Sequence, residues 1–200
     1  MNKSNKKITP KNLTGGKAAI ESLKKEQVKH VFGLIGSATM EMFDGLYDEK
    51  SINFIGVRDE RTGTHMADGY ARASNKPGVF LAGQNGPGAT NLVTGVAQAA
   101  AAFSPVITIA GHVSTNQKIE DSFQGIDQDA LFKTITKKTW TVTKTEKIPN
   151  TISKAFKLSM SLRRGPVHIN LPRNILSKSS KFKINLDNKS YESDNFKKGK

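Results

Sequence analysis

Residues 79–110 read VFLAGQNGPGATNLVTGVAQAAAAFSPVITIA. Two short apolar runs, Val79–Ala82 and Pro105–Ala110, enclose a glycine-rich loop at 83–88 and an alanine-rich stretch, Ala89–Phe103. Apolar runs of this length, bounded by Gly and Pro, read as strands buried on both faces. The stretch between them is long enough for a helix of about four turns. A strand, a tight loop, a helix and a second strand form a crossover unit, which pairs its strands in parallel.

The same alternation runs outward in both directions. Thr14 stands where it can cap a helix reaching about Gln27, followed by the apolar run Val31–Ile35. Met40–Tyr47 reads as a helix, Ile52–Val57 as a strand and Glu60–Ala73 as a helix. Beyond residue 110, 112–126 reads as an irregular loop, Gln128–Phe132 as a short helix and Trp140–Thr143 as a strand. Ile148–Leu162 then fits an amphipathic helix and Val167–Leu171 a last strand. The expected fold is α/β: a doubly wound, mainly parallel sheet with helices on both faces. Residues 1–12 read as a polar tail, 13–176 as one domain, and 177–200 as linker-like in composition, which suggests a further domain after it.

Composition narrows the function. The net charge of +14 invites a nucleic-acid reading, but the charge is unevenly placed. Residues 12–132, which hold the glycine loops, are net −3, whereas 133–164 are net +8. Lys outnumbers Arg 25 to 6, a poor balance for bidentate base or phosphate readout. The reading is therefore no nucleic acid. There is no cysteine, which excludes disulfides, thiol catalysis and thiolate metal sites. No apolar segment is long enough to span a membrane, and the basic N-terminus leads into no apolar signal core. The expected compartment is cytoplasmic.

Several stretches carry possible chemistry. VRDERTGTHMADGYAR, residues 57–72, places Glu60 where a strand gives way to a helix. That is where open α/β sheets bind ligands, although Asp59 and Glu60 could equally be helix caps. The loop 83–91, GQNGPGATN, offers close backbone approach, but it has no Gly-Lys-Ser/Thr and so is not a P-loop. The four histidines, His30, His65, His112 and His168, are scattered and lack metal-ligand spacing. No Gly-x-Ser-x-Gly elbow is present.

Five segments occur in order: GLIGSATMEMFDGL, VRDERTGTHMADGYARASNKPGV, NGPGATNLVTGVAQAAAAFSPVITIAG, FQGIDQ and RRGPVHINLP. Together they resemble the N-terminal, pyrimidine-binding domain of thiamine-diphosphate enzymes of the acetolactate synthase-like superfamily, over about residues 12–176. Within it, Ile35-Gly36-Ser37-Ala38 and Gln128-Asp129-Ala130-Leu131-Phe132 look most like sulfoacetaldehyde acetyltransferase. That enzyme converts sulfoacetaldehyde and phosphate to acetyl phosphate and sulfite. An acetolactate synthase-type carboligase or a 2-oxoacid decarboxylase is the alternative, and an inactive partner or regulatory module is the alternative from another class.

The resemblance implies that Glu60 shares a proton with N1′ of the cofactor's aminopyrimidine and so activates it. It places Gly36, Ser37, Pro87 and Asn91 beside the pyrimidine and Gln124 facing the reaction centre. In the family a His usually precedes this glutamate, where Asp59 stands here. The resemblance also implies that Mg2+ and the diphosphate are held by a separate domain marked by Gly-Asp-Gly followed by Asn-Asn. No such motif occurs in these residues, and they hold no metal site of their own. The expectation is a second subunit supplying that domain, in a homodimer or homotetramer acting on a small-molecule substrate.

Overall fold

A computed structural model describes residues 9–192 of the chain. The outer ends of the two tails, 1–8 and 193–200, lie outside the described residues. The elements in order are β1 (Lys11–Thr14), α1 (Gly15–Lys25), β2 (His30–Leu34), α2 (Met40–Asp48), β3 (Asn53–Gly56), α3 (Glu60–Ser74), β4 (Gly78–Ala82), α4 (Pro87–Thr90) and α5 (Val93–Ala101). They continue with β5 (Val106–His112), α6 (Gln128–Lys133), β6 (Thr139–Thr141), α7 (Ile148–Met160), β7 (Val167–Pro172), α8 (Arg173–Ser177) and β8 (Ser179–Phe182).

Six strands form one sheet in the order β3-β2-β4-β5-β7-β6, and every pairing in it is parallel. The period-2 alternation of side chains sorts the sheet into two cores. Val79, Leu81, Ile107, Ile109, Val167 and Ile169 face a core shared with α1, α2 and α7. Phe80, Ala82, Val106 and Ala110 face the opposite core, with Ala67 and Ala71 of α3, Val96 and Ala99 of α5, and Phe132 of α6. Strands β4, β5 and β7 are buried throughout, as continuous apolar runs covered by helices on both sides require.

Three differences from the sequence reading have physical causes. The helix expected over Ala89–Phe103 begins at Pro87, whose fixed φ suits a first helical position, and is interrupted at Asn91-Leu92. Lys11 and Asn12, assigned to the polar tail by composition, belong to β1, which pairs antiparallel with β8. The stretch from residue 177, linker-like in composition, is packed on the domain as far as Tyr191. Tyr191 stacks on Phe156 at 5.9 Å, and the Ser190 amide and hydroxyl both donate to Glu26 Oε2 at 2.7 Å. Strands of four residues with one inward apolar side chain each carry no periodicity of their own. Among the described residues no helix is long and apolar enough to cross a membrane.

The second core contains a polar chain. His168 stacks on Phe132 at 3.7 Å between centroids, and its Nδ1 lies 2.8 Å from Thr108 Oγ1. Its Nε2 meets Asn170 Oδ1 at 2.7 Å, and Asn170 Nδ2 donates to Asp129 Oδ1 and Thr141 Oγ1. An amide oxygen can only accept, so Nε2 carries the proton and Nδ1 is the acceptor. Complete burial pushes the imidazole down to about 3, against the opposing effect of the hydrogen bond it donates to Asn170 Oδ1. The unfolded chain therefore binds a proton that the folded chain refuses between about pH 6.5 and 3. Stability is full above that window and falls by about 1.4 kcal/mol per pH unit within it. Urea unfolding should show a loss of about 2 kcal/mol between pH 7.5 and 5 from this group, and His168→Gln should remove that part of the slope.

Candidate functional site

The sheet changes direction between β2 and β4. The chain leaves β2 for α2 on one face and leaves β4 for α4 and α5 on the other. Such a switch opens a crevice at the carboxyl ends of the two strands, the usual ligand position in open α/β sheets. The two loops that leave this point are 35–37 and 83–86.

These loops touch backbone to backbone. A Cβ on Gly83 would lie 2.1 Å from the Gly36 amide nitrogen, and one on Gly36 would lie 2.6 Å from the Gly83 carbonyl carbon. No side chain fits at either position. The contact sets Gln84 across the crevice. Its Oε1 accepts from Ser37 Oγ at 3.1 Å and from the Ala38 amide at 3.2 Å, and its Nε2 donates to Gln124 Oε1 at 2.9 Å. Asn85 Nδ2 donates to the carbonyls of Phe123 and Gln124 at 3.2 and 3.0 Å. The 83–88 loop thus holds the far loop, 122–125, in place.

Glu60 approaches from the neighbouring β3–α3 corner. The two cap readings now separate. Asp59 is the cap: its Oδ1 accepts from the Thr62 amide at 3.1 Å and lies 3.7 Å from Arg61 Nε. Glu60, the first helical residue, is only 6% exposed. Its Oε2 accepts from Asn91 Nδ2 at 3.0 Å. Its Oε1 has no hydrogen-bond partner among the described residues and faces Gly88, where an added Cβ would lie 3.4 Å away. The same Cβ would lie 3.1 Å from Gln84 Cβ. Gly88 therefore keeps a gap between the carboxylate and the amide bridge. One carboxylate oxygen is held by Asn91 and the other has no hydrogen-bond partner among the described residues.

Glu60, Gly36, Ser37, Pro87, Asn91 and Gln124 thus stand at one end of the sheet. Contacts join Glu60 to Asn91, and Ser37 to Gln124 through Gln84. Pro87 contributes by its position at the start of α4, where its carbonyl accepts from the Asn91 amide at 3.1 Å. Gln84 and Asn85 are not among the residues that the sequence pattern marks as site candidates. The available signal was a pair of amides between Gly83 and Gly86, directly after a buried strand. Of the carboxylates in the FQGIDQ region, Asp127 caps α6 and Asp129 joins the His168 chain. His65 is exposed on α3.

Over residues 13–131 the chain matches the family described as thiamine pyrophosphate enzyme, N-terminal TPP binding domain. The chain belongs to that family. Its relatives include a probable acetolactate synthase large subunit of Methanocaldococcus jannaschii, 44% identical over 163 residues, which are 82% of this chain and 27% of the relative. The acetolactate synthase large subunit of Buchnera aphidicola subsp. Acyrthosiphon pisum is 41% identical over 170 residues, 85% of this chain and 30% of the relative. Acetolactate synthase isozyme 3 large subunit of Escherichia coli is 39% identical over 169 residues, 84% of this chain and 29% of the relative. The chain spans less than a third of the length of these curated relatives.

The residues of this TPP binding domain fit one end of thiamine diphosphate. A buried carboxylate with one free oxygen suits a ring nitrogen, and Gly88 leaves room beside it. They do not fit the other end: among the described residues no group of three or more His, Asp or Glu side chains could hold a metal ion.

The loop geometry is testable in this domain. Gly86 has φ +50, and a Cβ there would lie 2.3 Å from the Gln124 carbonyl oxygen. Gly69 sits on the exposed side of α3 with nothing within 4 Å of an added Cβ. Thermal unfolding should show Gly86→Ala destabilised by about 1–3 kcal/mol and Gly69→Ala stabilised by about 0.5–1 kcal/mol.

Proposed function

We propose that this TPP binding domain serves a carboligase of the acetolactate synthase type, with Glu60 as its proton-handling group. The observation that carries the proposal is the buried Glu60 carboxylate at the strand switch, tethered on one oxygen by Asn91 and open on the other. Bound thiamine diphosphate would supply a carbon nucleophile that adds next to a carbonyl group. The Glu60 Oε1 atom would give or take the proton at N1′ of the aminopyrimidine, and the Asn91 amide would hold the carboxylate in line for that exchange. Gly36, Ser37 and Pro87 would form the pyrimidine's surroundings, and Gln124 would face the substrate.

The relatives favour acetolactate synthesis over the sulfoacetaldehyde reaction, since the matched enzymes bear the former name. The sulfoacetaldehyde reading is supported by two short segments, 35–38 and 128–132, alone. The diphosphate and its Mg2+ would be held by another domain of the full enzyme. The site would be completed by a second subunit, in a homodimer or homotetramer.

Two measurements on the full-length enzyme test this. Glu60→Gln should slow proton exchange at the cofactor's C2 by about 10²–10⁴-fold. Exchange at the parent rate would refute the relay. Product analysis should show acetolactate from pyruvate. Sulfite release from sulfoacetaldehyde would restore the other reading, decarboxylation without ligation would indicate a decarboxylase, and a complete lack of turnover would indicate a regulatory module.

A further inference from the structure

A second feature lies beside the proposed reaction centre, at the carboxyl ends of β5 and β7. A cleft of about 220 Å3 opens there, bordered by Ser37 and Gln84 on one side and by His112, Gln117, Phe123 and Arg173 on the other. Its size is below the range of about 300–1,000 Å3 that holds drug-sized ligands. It suits a molecule of a few heavy atoms.

The chemistry of its wall is one-sided. No carboxylate lines the cleft, although residues 12–132 are net acidic. Its lining residues supply hydroxyls, amides, one imidazole and one guanidinium. Arg173 is exposed and has no ion pair or hydrogen bond among the described residues, whereas Arg72 is bound to Asp68 through two nitrogens. The wall carrying Arg173 is fixed. His112 and Pro172 are paired at the ends of their strands, and Arg173 follows directly. Asn174 clasps the opposite loop, accepting from the Thr115 amide at 3.1 Å and donating to Thr115 Oγ1 at 2.9 Å. His112 Nδ1 lies 3.2 Å from the Val113 carbonyl and so carries a hydrogen, which leaves Nε2 as the ring's free nitrogen.

We infer that Arg173 and this cleft bind the anionic head of the substrate, a small organic carboxylate or sulfonate, beside the reaction centre. A guanidinium with no internal partner matches a planar carboxylate through two parallel N–H donors and a sulfonate nearly as well. Ser37 and Gln84, which border this cleft, form the bridge to Gln124, and Gln84 and Glu60 both lie against Gly88. A molecule bound by its charge at Arg173 would present its neutral carbonyl end towards that bridge. The inference rests on the proposed reading of the site as one for thiamine diphosphate, and it adds the residue that selects for charge.

The test uses the full-length enzyme with thiamine diphosphate and Mg2+. Parent, Arg173→Gln and Arg173→Lys are compared with pyruvate and, separately, with sulfoacetaldehyde as substrates. Arg173→Gln should raise KM for the anion that is turned over by about ten- to a hundredfold, the worth of a charge-assisted hydrogen bond, with kcat within about threefold. Arg173→Lys should recover part of the loss. The parent KM should rise with ionic strength, and that dependence should flatten in Arg173→Gln. Proton exchange at the cofactor's C2 should keep its parent rate in both variants. Which substrate shows the effect identifies the anion as carboxylate or sulfonate. An unchanged KM in Arg173→Gln with normal C2 exchange would overturn the inference while leaving the Glu60 reading intact. So would a fall in kcat alone. No C2 exchange in the parent would overturn both.

Discussion

The close approach of Gly83 to Gly36 is the contact on which the site depends. Two loops leave adjacent parallel strands for opposite faces of the sheet. They can meet backbone to backbone only where neither carries a Cβ. From that contact the Ala38 amide donates to the Gly83 carbonyl at 3.0 Å, and Gln84 is placed between Ser37 and Gln124. A larger residue at either glycine would part the loops, and the amide bridge would lose its anchor. Both segments that face the proposed reaction centre are thus positioned by one steric allowance in the middle of the sheet.

The carboxylate is positioned by a different device. Asp59 takes the cap of α3 through the Thr62 amide, so Glu60 is free of that duty. The helix start then turns Glu60 inward, and the break between α4 and α5 presents Asn91 to it. A continuous helix from residue 89 would carry Asn91 on a regular turn. The early start at Pro87 and the tight turn that follows set the amide at 3.0 Å from the acid. Asp59 is occupied on the exposed side with the helix amide and Arg61.

The polar chain from Thr108 through His168 and Asn170 to Asp129 joins β5, β7, β6 and α6. It anchors the helix that ends the long 113–127 segment. Gln128 adds a second tie, donating to the Gly111 carbonyl at 2.9 Å. The segment bearing Gln124 is therefore held at both its glycine-loop contact and its helical end. It is irregular in secondary structure and still restrained. The His168 and Asn170 side chains in this chain keep hydrogen-bond partners, so their burial orders the region at little net cost, whereas Gln128 is tied through its amide nitrogen alone.

Much of this was legible in the residues themselves. The buried runs 79–82, 106–110 and 167–171 are apolar because both sheet faces are covered, and that composition alone announces a parallel sheet. Thr14 as a helix cap and Glu60 at a strand-to-helix corner also follow from local rules. The order of the motifs carried the family. Three things needed the tertiary structure. The short strands β1 and β8 stabilise each other only as a pair, across more than 160 residues, so neither has a local signature. The separation of Asp59 as cap from Glu60 as buried acid depends on which side chain the packed helix turns inward. The grouping of Ser37, Gln84, His112 and Arg173 around one cleft depends on strand order, which brings together residues from four distant segments. Sequence determines local conformation and burial through short-range sterics and hydropathy. The meeting of side chains at a site is decided by long-range strand pairing.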